Sequence, residues 1–196
     1  MTVESLPLTR VRETTVDVVV VGSGTGLAAA LAAQDAGLEA LVIEKTEYVG
    51  GSTSLSGGAF WIPANPILEA EGAHDTLERA SRYIESLVDG AVPEERWRSF
   101  LDHGEATVEL LRRATPLKFS WAREYADYHP ERPGGSASGR SCESRPFNVK
   151  RLGAERDRLR PSGMAAPIPM PITGADYRWM NLMVRTPRRS RRSPRG

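Results

Sequence analysis

The stretch VDVVVVGSGTGLAAALAAQDAGLEALVIEK, residues 16–45, decides the fold. It opens on VDVVVV (16–21), a β-branched run of the kind that forms a strand buried on both faces of a parallel sheet. Gly22, Gly24 and Gly26 follow at once. LAAALAAQDAG (27–37) is rich in Ala and Leu, which favour helix, and it stops at Gly37, a suitable C-terminal residue. LEALVIE (38–44) reads as a second buried strand. Strand, glycine turn, helix and strand within about 30 residues make one βαβ unit. The short connections predict a right-handed crossover between adjacent parallel strands.

A glycine turn between a strand and a helix meets the needs of a dinucleotide pyrophosphate. Gly22 permits the sharp turn off the strand, and Gly24 lets the backbone approach the phosphates with no Cβ in the way. The first helical turn offers unpaired N–H groups and the positive end of its dipole. Glu44 stands 20 residues beyond Gly24, at the end of the second strand, where an acid accepts hydrogen bonds from ribose hydroxyls. One detail departs from the G-x-G-x-x-G pattern. Its third small residue falls on Leu27, and the glycine lies one place early, at Gly26. Either the helix starts one residue sooner, or its packing on the strand rests on Gly26 and Ala28.

Outward from this unit, residues 45–66 (KTEYVGGSTSLSGGAFWIPANP) form a loop with paired glycines and many hydroxyls. Asp75-Thr76-Leu77-Glu78 resembles a capping box, and residues 76–88 read as a helix with Leu77, Ala80, Ile84 and Leu87 on one side. Pro93 suits the first turn of a second helix over 93–114, packed by Trp97, Leu101, Gly104, Val108 and Leu111. Residues 117–122 suggest a short strand, HPERPGGSASGR (129–140) is turn chemistry, and 150–160 a short charged helix. The domain expected is therefore α/β: an incomplete Rossmann-like βαβ unit with a mainly helical following segment, over residues 15–184. Residues 1–14 are a lead-in.

The loop behind the second strand decides between two dinucleotides. A nicotinamide domain proceeds to another crossover helix and a third buried strand. Here Gly50, Gly51, Ser52 and Thr53, then Ser56, Gly57 and Gly58, offer backbone and hydroxyl hydrogen bonds at close range, which suits FAD. With the turn residues Gly22, Ser23, Gly24, Thr25 and Gly26 and the strand end Glu44-Lys45, they make up the expected cofactor site.

The motifs GSGTG, IEK followed by VGGST, SGGAFW and YADYHPERPGGSASGRS resemble the FAD-binding flavoproteins of the fumarate reductase/succinate dehydrogenase type. Within them the chain is most similar to the 3-ketosteroid Δ1-dehydrogenase branch. The resemblance covers residues 15–184 and only the N-terminal part of such a protein. It implies a two-electron oxidoreductase acting on a small, steroid-like substrate: a base removes a proton beside the ketone and a hydride passes to the flavin. Proteins of this branch place a tyrosine in an Asp-Tyr context near the flavin, and Asp127-Tyr128 matches it, which makes Tyr128 the candidate catalytic residue. A phenol with a pKa near 10 assists proton removal only when neighbours polarise it. A tyrosine packed on a loop with its hydroxyl in water is the alternative.

Of the 196 residues, 40% are hydrophobic and 26% charged, enough to build a core. RTPRRSRRSPRG (185–196) carries six Arg and no acid, so the net charge of +1 becomes −5 over residues 1–184. A nucleic-acid reading would rest on that tail alone, which lacks aromatics, and no nucleic-acid partner is expected. The single cysteine, Cys142, precludes an intrachain disulfide and multi-cysteine metal sites. His74, His103 and His129 show no metal-ligand spacing. With no apolar run of membrane-spanning length, a cytoplasmic protein is the expectation. The change of composition at residue 185, where the resemblance stops, predicts a truncated or frameshifted product with an open sheet edge and weak FAD retention. An inactive fragment and a nicotinamide-dependent reductase are the competing readings.

Overall fold

The computed structural model describes residues 13–161. Most of the lead-in, the proline-rich stretch beyond residue 161 and the Arg-rich tail lie outside them. The βαβ unit forms as the sequence predicts. Strand β1 (Val18–Val21) runs into helix α1 (Gly26–Asp35) and strand β2 (Ala40–Ile43). The strands pair in parallel, Val18 opposite Ala40 and Val21 opposite Ile43. Gly22 extends the ladder, its N–H donating to the Ile43 carbonyl at 2.8 Å.

Helix α1 starts one residue earlier than the strict glycine pattern implies. A Cβ on Gly26 would lie 2.8 Å from Val20 Cγ1. Gly26 therefore takes over the close helix–strand packing that Leu27 could not provide, and the departure from the motif is resolved by a shift of helix start. Gly26→Val should push helix and strand apart and cost about 1–3 kcal/mol, the range for overpacking a tight contact. An unchanged urea midpoint would show that the contact is loose.

One expectation about the strands fails. Val20 is buried, but Val19 is 56% and Val21 81% exposed, and Leu41 and Ile43 are exposed with them. Successive side chains of a strand point to opposite faces. Helix α1 covers one face of this pair, and among the described residues nothing covers the other.

The described residues beyond this unit build three α-helices and a small antiparallel sheet. Strand β3 (Phe60–Trp61) leads to the short helix α2 (Pro66–Ala70). Pro66 sits where a missing N–H costs nothing, and the buried Asn65 caps the helix by accepting from Ile67 N at 2.9 Å and Leu68 N at 3.2 Å. Helix α3 (Leu77–Val88) is capped by Thr76, whose hydroxyl accepts from Arg79 N at 3.1 Å. Helix α4 (Glu94–Ala114) follows, then strands β4 (Phe119–Trp121) and β5 (Ser141–Ser144). Strand β5 is central, in the order β3-β5-β4, both neighbours antiparallel to it.

The α4 stripe is close to expectation, with Trp97, Leu101, Gly104 and Val108 buried and Leu110 in place of Leu111. On α3 the expected stripe is wrong at its ends. Leu77 and Leu87 are exposed, while Ala80 and Tyr83 are buried. The helix turns its Ala80 and Ile84 side to Trp97 and Leu101, and Tyr83 goes inward because its hydroxyl has a partner there, the His129 N–H at 3.2 Å.

A second core cluster joins Ile62, Ile67, Leu68, Val108 and Cys142. Cys142 is fully buried on β5, and burial pushes its thiol up to about 11. It is a packing residue, not a nucleophile. Arg113 of α4 clasps the Asp35 carboxylate with two N–H groups, which ties α4 to α1. Residues 149–158 form 3-10 turns broken at Gly153, in place of the single charged helix expected. Among the described residues no helix is long and apolar enough to cross a membrane.

Candidate functional site

The glycine turn and the loop behind β2 fold onto one another. Ser23 is buried, and its N–H donates to Glu44 Oε2 at 3.0 Å. Its hydroxyl makes a short hydrogen bond to the same oxygen and accepts from Gly50 N at 2.9 Å. Glu44 Oε1 accepts from Thr46 N at 3.2 Å. One side chain thus joins the turn, the end of β2 and the paired glycines. Gly50 and Gly51 both have positive φ, and a Cβ on Gly51 would stand 3.5 Å from Gly24 Cα and N. A Cβ on Gly24 would meet Thr53 Oγ1 at 3.3 Å. The two backbones therefore lie in van der Waals contact, and the left-handed conformations of Gly50 and Gly51 favour glycine on that side. Thr25 precedes α1 without capping it, so the first-turn N–H groups keep no side-chain acceptor of their own.

Ser23, Gly24, Gly50 and Thr53 line a cavity of about 700 Å³. Its far wall is the segment around residues 149–161, pinned by Val49 N to the Arg158 carbonyl at 2.7 Å and Arg160 N to the Val49 carbonyl at 2.8 Å. The residues present fit a dinucleotide diphosphate: glycine backbone at van der Waals distance, the turn N–H groups of Gly24, Thr25 and Gly26, and an acid at the strand end. Lys45 is exposed and does not line this cavity. Ser52 starts the 3-10 turn Thr53–Leu55. Ser56 accepts from Gly58 N at 3.1 Å and donates to the Thr53 carbonyl at 2.8 Å, shaping the lip that leads to β3. Gly57 stands there in open space.

Glu44 is held in its charged form. The hydrogen bonds from the Ser23 hydroxyl and N–H, then that from Thr46 N, lower its carboxyl from 4.5 to about 2. A carboxyl depressed on folding contributes stability that is present above the unfolded value and lost as pH falls toward the folded one. Between about pH 4.5 and 2 the glycine turn should therefore loosen. Amide exchange at Ser23 and Gly50 read against pH measures this. Glu44→Gln should remove the pH dependence, and a profile shared by both proteins would refute the assignment.

The loop that leaves the first cavity at Thr53 and Ser54 enters a second one, of about 470 Å³, at Ala59–Trp61. Phe60, Trp61, Tyr83, Phe100, Tyr125 and Tyr128 are among its lining residues. Trp61 stacks on Phe100 at 6.2 Å, and Tyr83 tilts against it at 5.9 Å. Tyr128 is 86% exposed at the rim. Its neighbours in sequence are fixed. Asp127 is buried and accepts from Trp61 Nε1 at 2.9 Å, Ser136 N at 3.0 Å and Arg140, while His129 N donates to Tyr83. Tyr128 is thus a free side chain on a clamped backbone.

The clamp is Arg140, 1% exposed. Its Nε donates to Asp75 at 2.9 Å, Nη1 to Asp127, and Nη2 to the Gly134 carbonyl at 2.7 Å. The guanidinium also lies over Trp61 at 5.7 Å and Tyr83 at 5.5 Å. Sequence reasoning missed Arg140, Asp75 and Tyr83. The one signal was an arginine at the end of GGSASGR, where a turn needs none. His74, His103 and His129 are exposed, and no group of metal-binding side chains forms among the described residues.

Comparison with known proteins agrees with this geometry. A family model described as FAD binding domain matches residues 17–191. The 3-oxosteroid 1-dehydrogenase of Mycobacterium tuberculosis H37Rv is 43% identical over 173 residues, 88% of this chain and 31% of that protein. The 4-oxocyclohexanecarboxylate 2-dehydrogenase of Sinomonas cyclohexanicum is 33% identical over 175 residues, 88% of this chain and 30% of that one. The crystal structure of 3-ketosteroid Δ1-dehydrogenase from Sterolibacterium denitrificans, in complex with 1,4-androstadiene-3,17-dione, superposes with a TM-score of 0.70 at 35% identity. The superposition covers 75% of this chain and 26% of that one. The chain spans about a third of the length of the curated relatives it matches.

Proposed function

This chain belongs to the FAD-binding-domain family, and from that premise we propose that it is the FAD-holding part of a dehydrogenase that desaturates a cyclic ketone, of the 3-ketosteroid kind, beside its carbonyl. The observation that carries the reading is the pairing of two cavities by one loop: a glycine-turn cavity and an aromatic cavity joined through residues 50–61. FAD, when bound, supplies the acceptor for two electrons.

The residues of the chain then have distinct tasks. Gly22, Ser23, Gly24, Thr25 and Gly26 present backbone to the diphosphate. Glu44, with acceptor capacity left on Oε1, takes ribose hydroxyls. Gly50, Gly51, Ser52 and Thr53 line the way toward the flavin, with Lys45, Ser56, Gly57 and Gly58 at its margins. The flat apolar faces of Phe60, Trp61 and Phe100 suit a fused-ring skeleton, and about 470 Å³ is within the size of small-molecule sites. Tyr128 brings a hydroxyl to the rim of that cavity and assists proton transfer beside the ketone. The lone cysteine, kept as a buried thiol, supports a reducing compartment, the cytoplasm.

Titration of the purified protein with FAD, followed by flavin absorbance, tests the cofactor; adding a 3-oxosteroid should then shift the flavin spectrum. Binding of NADH without FAD would replace this reading by a nicotinamide-dependent one. In the loaded protein Tyr128→Phe should lower turnover by about 100-fold and leave the melting temperature unchanged, because the ring is 86% exposed. A variant with full turnover would remove Tyr128 from the reaction.

A further inference from the structure

Among the described residues two buried side-chain polar atoms have no hydrogen-bond partner, Ser54 Oγ and Arg160 Nε. They come from residues more than 100 positions apart, yet both residues line the same cavity, the one beneath the glycine turn. Buried polar atoms are nearly always paired, so two orphans lining one cavity point to acceptors supplied by a ligand.

Both groups are held in place. Arg160 donates its backbone N–H to Val49 and Nη2 to Thr46 Oγ1 at 2.9 Å, and its guanidinium lies 6.0 Å from the Tyr48 ring centre. Thr46 is tied through Glu44 to Ser23, so one chain of contacts runs from Arg160 to the turn. Ser54 lies directly on Gly50, where a Cβ would meet its hydroxyl at 2.4 Å, and its N–H donates to the Gly50 carbonyl at 3.2 Å. The hydroxyl is therefore fixed against the paired glycines.

We propose that Ser54 and Arg160 bind the diphosphate of the cofactor, Arg160 as its charge partner through the free Nε–H and Ser54 as a hydroxyl donor. The ligand class follows from the donors. A guanidinium edge offers only donors and positive charge, a hydroxyl beside it can donate as well, and a diphosphate offers only acceptors and negative charge. Asp157 and Arg156 also line the cavity, and both are exposed at its mouth. The assignment rests on the FAD reading above and adds two residues to it, one of them from a segment remote from every glycine motif.

FAD titration of the full chain at low and high salt tests it. Arg160→Ala should weaken FAD binding about tenfold at low salt, or about 1.4 kcal/mol, and the difference should shrink at high salt as the charges are screened. Arg160→Lys should recover part of the loss, and Ser54→Ala should weaken binding a few-fold with an unchanged far-ultraviolet spectrum. Arg156→Ala, which removes the same charge at the mouth, serves as the comparison and should have a smaller effect. Wild-type affinity in Arg160→Ala, an equal loss in Arg156→Ala, or a loss independent of salt would overturn the assignment while the FAD reading stands. Failure of the unsubstituted chain to bind FAD at all would overturn both.

Discussion

Replacing Arg140 by Ala should cost about 3–5 kcal/mol of folding stability, the range for breaking a buried ion pair on one side. Few single contacts in a domain are worth so much, since the whole balance is about 5–15 kcal/mol. Arg140 reaches that range because it serves five partners at once. Its guanidinium neutralises Asp75 before α3 and Asp127 in the loop before Tyr128, holds the Gly134 carbonyl, and lies against the rings of both Trp61 and Tyr83. The side chains of Asp75 and Asp127 are 7% and 0% exposed, so its removal leaves two like charges in a dry place with no water to screen them.

The comparison that isolates the charge is Arg140→Met, which keeps much of the volume. It should remain within about 1 kcal/mol of Arg140→Ala if unpaired carboxylates dominate, and should recover most of the loss if packing does. Arg140→Lys keeps the charge but not the three-way fork, and should fall between Met and the native residue. Urea unfolding of the three variants measures all of this. A loss under about 1 kcal/mol in Arg140→Ala would show the cluster to be hydrated and the clamp on Asp127 to be weak.

The parts of the molecule legible in the sequence are those whose cause is local. The β-branched run before Gly22, the Ala-rich helix and the acid at Glu44 each follow from residue type and spacing within 30 positions, and the structure forms them with parallel pairing. Thr76 and Pro93 likewise mark helix starts by chemistry alone. What stayed hidden depends on partners remote in sequence. Strand β5 is only Ser-Cys-Glu-Ser, with no apolar alternation, and it is a strand because β3 and β4 supply both of its edges. Arg140 read as part of a turn because its carboxylates lie 13 and 65 residues away. Tyr83 was displaced in the expected stripe by Leu77 and Leu87, since a helical pattern counts apolarity and cannot count a hydroxyl that finds the N–H of His129. The proposed cofactor site divides the same way. Its glycines were readable from backbone demands, while Ser54 and Arg160 come together only through the parallel bridge between Val49 and Leu159.

Gly139→Ala is the second large effect and tests the same loop by steric means. Gly139 has φ +73°, and a Cβ there would lie 1.6 Å from the Tyr125 carbonyl oxygen. Two segments cross at this point: Asp127 N donates to the Ser136 carbonyl at 3.0 Å and Glu124 N to the Ser138 carbonyl at 3.2 Å. The carbonyl cannot retreat without breaking one of those bonds, and the Gly139 carbonyl itself accepts from Trp121 Nε1 at 3.3 Å. The left-handed conformation costs a residue with a side chain roughly 1–2 kcal/mol, and forcing a methyl into a closed contact about 1–3 kcal/mol more. A total of about 2–5 kcal/mol is expected. Gly37→Ala supplies the reference, because Gly37 has a similar φ of +77° and open space where the methyl would go. It should lose roughly 1–2 kcal/mol, from conformation alone. The excess of Gly139→Ala over Gly37→Ala is then the steric part, and it should come with a changed tryptophan emission as the bond to Trp121 shifts. Equal urea midpoints for the two variants would mean that the crossing is open, and that Tyr128 sits on a loop free to move rather than on a fixed one.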